Sequence, residues 1–70
     1  MNPNNNNMKI KLIRLKIQVS FKKQIYDKLI NSNKLTSPIR IHTNILMIDQ
    51  KDFEQVDKIL YKNYINYKVL

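Results

Sequence analysis

The chain has 70 residues, a net charge of +8 and no cysteine, so it is expected to form one small domain without disulfides or thiolate metal sites. A domain of this size has a marginal hydrophobic core, and a binding partner is the expected source of additional stability. The excess of Lys and Arg favours a polyanionic partner such as nucleic acid, and no apolar run is long enough to cross a membrane.

The first eight residues are rich in asparagine and offer no apolar cluster to bury. This composition predicts a disordered tail at residues 1–8, followed by a single α+β domain at residues 9–70. The tail also lacks the pattern of a secretory signal or of a transit peptide.

The segment 9–19 alternates between apolar and polar residues, which predicts a half-buried strand. Upstream, the apolar phase belongs to Ile10 and Leu12. This change of phase predicts a bulge, or a leading arm that carries Lys9 and Lys11. The residues expected in the core are Ile13, Leu15, Ile17 and Val19.

A helix is predicted at residues 21–32, with Ser20 as its N-cap. The linker 31–38 is rich in turn-forming residues and ends at Pro38. The buried stripe of this helix is expected to contain Phe21, Ile25, Leu29 and Ile30.

Alternation returns at residues 39–48 and predicts a second strand. Its expected inward residues are Ile39, Ile41, Ile45 and Met47. Its expected outward residues are Arg40, His42 and Asn44.

A second helix is predicted after Asp49, which can act as its N-cap, and Asp52 is favourable in the first turn. Asn63 is expected to end this helix, and residues 64–70 to form the last strand with Tyr67 in the core. The inner face of the helix is expected to contain Phe53, Val56, Ile59 and Leu60.

The resulting order β-α-β-α-β predicts a ferredoxin-like α+β sandwich with two helices on one face of a sheet. The other face then exposes a set of polar residues without acids, which favours phosphate binding over an ordinary solvated face. This set contains Arg14, Lys16, Arg40, His42, Asn44, Asn66 and Lys68.

Catalytic chemistry is not indicated, so the chain is not expected to be an enzyme or to use a cofactor or metal. The acids at the second helix occupy cap and solvent positions, and the absence of glycine excludes a phosphate-binding glycine loop. His42 is the only histidine. Base stacking on the sheet is weakly supported, because the centres of the strands carry no aromatic residue.

Four segments of the chain carry a resemblance to a known family: residues 13–16, which read IRLK, and residues 41–49, 56–60 and 65–69. In these segments the chain resembles the small-subunit ribosomal protein S-ten family. The resemblance follows the family order over most of residues 9–70, but the long hairpin of the family is largely missing, so the chain is identified as a shortened member.

This resemblance implies a structural component of the head of the small ribosomal subunit that binds ribosomal RNA and neighbouring head proteins. Asn44 takes the place of a family histidine. No membrane or small-molecule partner is expected. The candidate RNA-binding residues are Lys9, Lys11, Arg14, Lys16, Arg40, His42, Asn44 and Lys68.

Abundant Ile, Lys and Asn, together with the absence of Gly and Ala, indicate an AT-rich gene. A mitochondrial or other organellar ribosome is therefore the expected location, with the cytoplasm of an AT-rich organism as the alternative. The alternative functions are a free-standing basic nucleic-acid-binding regulator and a membrane-surface or protein-interaction module.

Overall fold

The structure, a computed structural model, describes residues 9–70, so the predicted disordered tail lies outside the described residues. Those residues form four strands and two α-helices, and a short 3₁₀ helix precedes each α-helix. The elements in chain order are β1 (Ile10–Leu15), α1 (Lys22–Asn31), β2 (Arg40–His42), β3 (Ile45–Asp49), α2 (Phe53–Lys62) and β4 (Tyr67–Val69), with 3₁₀ helices at Val19–Phe21 and Gln50–Asp52.

The strands form one antiparallel sheet with the order β2-β3-β1-β4. The sheet is built from two strand–helix–strand units, β1-α1-β2 and β3-α2-β4. The resulting β-α-β-β-α-β arrangement is the ferredoxin-like topology. The predicted fold class is therefore confirmed. The expected order is one strand short, because the segment 39–48 contains the hairpin β2-β3 rather than a single strand.

Both helices pack on the same face of the sheet and form one hydrophobic core with it. Burial of each large apolar side chain stabilises the fold by about 1.5–3 kcal/mol relative to its exposure. The opposite face is called the open face below. The buried apolar residues are Ile13, Leu15, Ile25, Leu29, Ile39, Leu46, Ile48, Val56 and Leu60.

The turn between β2 and β3 changes which residues face the core. Thr43 adopts a positive φ of 51° in this turn, and the reversal of the chain resets the alternation of side chains. Leu46 and Ile48 are therefore fully buried. The expectation that Ile45 and Met47 point into the core is wrong, since both lie on the open face.

β1 contains no bulge, because its pairing with β3 is continuous from Ile10 to Arg14. The predicted bulge or separate arm is therefore wrong. Ile10 and Leu12 simply follow the alternation of the strand and lie exposed on the open face. The strand also ends earlier than expected, at Leu15, and Val19 is exposed in the following 3₁₀ helix.

The buried stripe of α1 is narrower than the sequence suggests. Ile25 and Leu29 are buried as predicted, whereas Phe21 and Ile30 are about half exposed. A single ten-residue helix on a small sheet buries only the side chains that point directly at it. The predicted cap is also wrong: Ser20 lies inside the 3₁₀ helix, and the N-cap position of α1 is Phe21.

The end of α2 agrees with the prediction, whereas its N-cap position is Asp52 rather than the predicted Asp49, which caps the preceding 3₁₀ helix instead. The Asp49 carboxylate accepts a hydrogen bond from the Lys51 N–H at 3.0 Å, at the beginning of the 3₁₀ helix that leads into α2. Val56 and Leu60 are fully buried. Asn63 is the C-cap residue, and its side-chain amide donates to the carbonyl of Ile59 at 2.7 Å.

Asp52 is not at a solvent position, as the sequence suggested, because its side chain is buried. Its carboxylate accepts hydrogen bonds from the Thr36 N–H at 2.9 Å, the Thr36 hydroxyl at 2.8 Å and the Ser37 N–H at 3.1 Å. These bonds tie the α1–β2 connection to the beginning of α2. A buried charge requires such partners, so Asp52 is a structural residue.

Tyr67 of β4 packs against the core as predicted. Its ring meets Phe53 edge to face, with the ring centres 6.1 Å apart. Its hydroxyl donates a hydrogen bond to Asp57 Oδ1 at 2.5 Å. Tyr67 thus fastens the edge strand β4 to α2.

Candidate nucleic-acid interface

Basic residues from three strands lie in one row across the open face of the sheet. Arg14 of β1 is directly opposite Lys68 of β4 on one side and opposite Ile45 of β3 on the other. Ile45 in turn is opposite His42 of β2. Residues paired in this way have Cβ atoms about 4.5–5.5 Å apart, so these basic side chains form a strip across the sheet that Ile45 interrupts between Arg14 and His42.

Arg40 and Lys16 lie next to this row and are exposed. Arg40 is opposite Met47, two pairs away from His42 and on the same face. Lys16 directly follows β1, and its N–H donates to the carbonyl of Asn66 at 2.8 Å. The structure therefore brings together the strand cations that the alternation predicted, Arg14, Lys16, Arg40, His42 and Lys68; their binding to RNA stays a prediction.

The first turn of α1 adds two cations that the sequence analysis had not included. Lys22 and Lys23 line a surface groove together with Arg40 and His42. The first turn of α1 contains no acid, and its N-cap side chain makes no hydrogen bond to the helix, so the positive N-terminal dipole is not offset there. The chain order could have revealed this proximity, since a helix that directly follows β1 begins where β1 ends. We call the following set the basic end: Arg14, Lys16, Lys22, Lys23, Arg40, His42 and Lys68.

Carboxylates are concentrated at the opposite end of the sheet, where β1 begins and β3 ends. Asp49, Asp52 and Glu54 lie there, and the first two accept hydrogen bonds from nearby backbone. Within residues 9–70, the one ion pair at the basic end joins Lys23 to Asp27 at 3.6 Å, with both side chains exposed. Exposed pairs of this kind contribute little, so the protein's own acids leave the basic end largely unneutralised.

Three predicted RNA-binding residues lie apart from this strip. Asn44 is in the β2–β3 turn rather than in a strand, and its side-chain amide donates to the carbonyl of Leu15 at 3.1 Å. Lys11 belongs to β1 rather than to an arm, and its Nζ lies 5.0 Å from the centre of the Phe53 ring, on the helix side of the sheet. Lys9 precedes β1, and its carbonyl accepts a hydrogen bond from the Gln50 N–H at the opposite end of the sheet, where the carboxylates lie.

Between this strip and Asp49, which lies opposite Ile10, the open face is apolar, and the sequence had not predicted this. Leu12 is opposite Met47 on β3 and hydrogen-bonded through its carbonyl to the N–H of Leu70. Leu12 is 38% exposed and Ile10 is 56% exposed. The open face thus combines an apolar centre with a cationic end.

Residues 9–70 contain no cluster of His, Asp and Glu side chains that could hold a metal ion. None of the helices in that range has the length and apolar character needed to span a membrane. The chain was also compared with models of known protein families, with curated proteins and with solved structures, and none of them matched.

Proposed function

We propose that this protein is a structural component of the head of the small ribosomal subunit and that it binds ribosomal RNA through the basic end. The observation that carries the proposal is the separation of charge along the sheet. Strands β1, β2 and β4 and the start of α1 present cations at one end, while Asp49, Asp52 and Glu54, at or before the start of α2, lie at the other. A surface of this kind attracts and orients a polyanion.

The binding mechanism is static and electrostatic. Arg14 and Lys68 are held side by side by strand pairing, at a spacing that lets two cations approach the same stretch of a phosphate backbone. Contacts to phosphates position the protein on RNA and release condensed counterions, without reading the base sequence. The rigid sheet keeps these cations in place, so little ordering of the strands is needed on binding.

The ribosomal assignment is supported by the resemblance of several ordered segments to the S-ten family, which runs over most of the described domain. The open face supports the second part of the proposal, contact with a neighbouring head protein, since Leu12 exposes apolar surface next to Arg14 and Ile10 extends that surface along β1. The abundance of Ile, Lys and Asn, which indicates an AT-rich gene, favours a mitochondrial or other organellar ribosome.

The RNA interface is tested by changing Arg14, Lys16 and Lys68 to Ala in one variant and measuring binding to small-subunit ribosomal RNA over a range of salt concentrations. Loss of three phosphate contacts is expected to weaken binding and to reduce the slope of log K against log salt by about 2–3. The matched control changes Lys28, Lys34 and Lys51 to Ala, which removes the same charge from exposed positions outside the basic end. Equal losses in both variants would show that net charge alone governs binding and would refute the assigned surface.

The ribosomal role is tested separately by sedimentation of a native extract. A structural component is expected to travel with the small subunit and to stay there through a moderate-salt wash. A free-standing nucleic-acid-binding regulator would be released by the wash, which would contradict the ribosomal assignment even if the RNA interface is correct.

A further inference from the structure

Two tyrosines at the α2–β4 connection project into solvent. Tyr61 is 82% exposed and Tyr64 is 94% exposed, far more than the other large apolar side chains of the described chain. Both line one shallow surface groove together with Lys62, Ile65 and Asn66. Aromatic side chains this exposed give no core stability, which raises the question of what they contact.

The backbone holds Tyr64 outward in a conformation that tyrosine rarely adopts. Its φ is 59°, and this left-handed position after a helix is normally occupied by glycine or asparagine. The Tyr64 N–H donates to the carbonyl of Tyr61 at 3.0 Å, and the Ile65 N–H donates to the carbonyl of Leu60 at 2.9 Å. These two bonds form a Schellman motif, in which Tyr64 occupies the residue position that is usually a glycine.

This tyrosine groove borders the basic end. The connection leads directly into β4, and the carbonyl of Asn66 accepts a hydrogen bond from the N–H of Lys16 at 2.8 Å. Lys62 lies in the groove itself. Exposed aromatic rings beside cations are the arrangement with which proteins hold unpaired nucleotides: the rings stack on bases and the cations follow the backbone.

We propose that Tyr61 and Tyr64 form a stacking platform for an unpaired RNA base whose flanking phosphates lie on the basic end. This inference rests on the proposed function and narrows its partner, from RNA in general to RNA with a single-stranded nucleotide next to the bound backbone. Stacking tolerates any base, since every base has a π-face. The platform lies on a turn rather than on the strand centres, where the sequence analysis had looked for aromatics.

The test uses two probes, a single-stranded oligouridine and an RNA duplex without unpaired bases, with binding measured by fluorescence anisotropy. Tyr64→Gly is expected to weaken binding of the single strand by about 5- to 100-fold while leaving duplex binding unchanged. The same substitution relieves the positive φ, so the unfolding temperature is expected to rise by about 4–8 °C. A variant that is more stable but binds the single strand more weakly has lost a contact with RNA, because a damaged fold would lower the unfolding temperature as well.

Two matched variants complete the experiment. Asn33→Gly changes another residue with positive φ, 58°, at the far end of α1, and is expected to leave both affinities unchanged. Tyr64→Phe keeps the ring and is expected to retain single-strand binding.

Unchanged single-strand affinity in Tyr64→Gly, while the Arg14, Lys16 and Lys68 variant still loses binding, would overturn the platform and leave the proposed RNA interface standing. If Tyr64→Gly loses association with the small subunit but keeps its affinity for oligouridine, the tyrosines contact a protein neighbour. This result would also overturn the platform. A wild-type protein that binds neither probe would refute the RNA interface itself.

Discussion

Arg14 and Lys68 face each other directly across β1 and β4, and the row that contains them includes no carboxylate. Like charges in directly paired positions destabilise a sheet, so this arrangement costs stability in the free protein. A bound phosphate removes that cost, because it supplies the missing negative charge. If RNA binds there as proposed, the pair links the stability of the fold to the occupancy of the basic end.

The first prediction is that Lys68→Gln stabilises the free protein at low salt. Relief of the repulsion is expected to contribute a few tenths to about 1 kcal/mol to the free energy of unfolding. The gain should disappear at 1 M salt, where the screening length is about 3 Å. Thermal unfolding at the two salt concentrations measures it, with Lys34→Gln as the control. A gain of equal size in the control would show a general effect of net charge and not a paired repulsion.

The second prediction concerns the buried carboxylate of Asp52. Asp52→Ala removes the acceptor of three hydrogen bonds and leaves the N–H groups of Thr36 and Ser37 without it, so the free energy of unfolding is expected to fall by about 3 kcal/mol or more. Chemical denaturation measures the loss. Thr36→Val, which removes only the hydroxyl, is expected to lose about 1 kcal/mol.

Glu54→Gln is the control for that series, because Glu54 is exposed in the first turn of α2. Its substitution is expected to change the free energy of unfolding by less than about 0.5 kcal/mol. A small loss in Asp52→Ala, close to that of the control, would contradict the structural role of the buried carboxylate.

The third prediction is a loss of stability at alkaline pH that depends on Tyr67. The hydrogen bond to Asp57, together with burial and the negative charge of Asp57, raises the pKa of Tyr67 from 10.0 to about 12. Because the folded pKa lies above the unfolded one, this contribution is complete below pH 10.0 and is lost as the pH rises through about 12. Tyr67→Phe is expected to abolish this part of the pH dependence.

Absorbance titration of tyrosinate checks the assignment of that step. The wild-type protein should show a tyrosine that ionises near pH 12, and Tyr67→Phe should lack it. Asp57→Asn should lower the pKa of Tyr67, because the carboxylate that accepts the hydrogen bond is gone. An unchanged high-pH step in either variant would show that another group is responsible.

The local sequence predicted much of this fold. Alternation around Ile13 and Leu15, the apolar spacing of Val56 and Leu60 and the cap at Asp49 each depend on neighbours within one turn or strand. These signals place α2 and the core face of β1 correctly, and the alternation also brings most of the strand cations together.

The features that were missed depend on contacts between distant segments or on turns without a strong signal. The β2–β3 turn at Thr43 and Asn44 contains no glycine or proline, and the hairpin signals Asn-Gly and Asp-Gly are absent. The partners of Asp52 lie in the α1–β2 connection, so its burial depends on tertiary packing. The apolar centre of the open face followed from the same missed turn, because the turn moved Met47 away from the core.

The last prediction tests the apolar part of the open face. Leu12 lies opposite Met47 at its centre and is 38% exposed in the free protein, so Leu12→Gln should cost only about 0.5–1.5 kcal/mol of folding free energy. If a neighbouring protein covers this surface in the assembly, the variant should bind ribosomal RNA normally but associate more weakly with the small subunit during reconstitution.

Ile30→Gln is the matched control for Leu12→Gln, since Ile30 exposes a similar apolar side chain on α1, away from the open face. Sedimentation of reconstituted subunits should separate the two variants, with Ile30→Gln retained and Leu12→Gln depleted. Equal retention of both would mean that the open face stays uncovered in the particle. The cationic row beside Leu12 would then be the sole contact that this face makes, and the proposed protein neighbour would have to bind elsewhere on the domain.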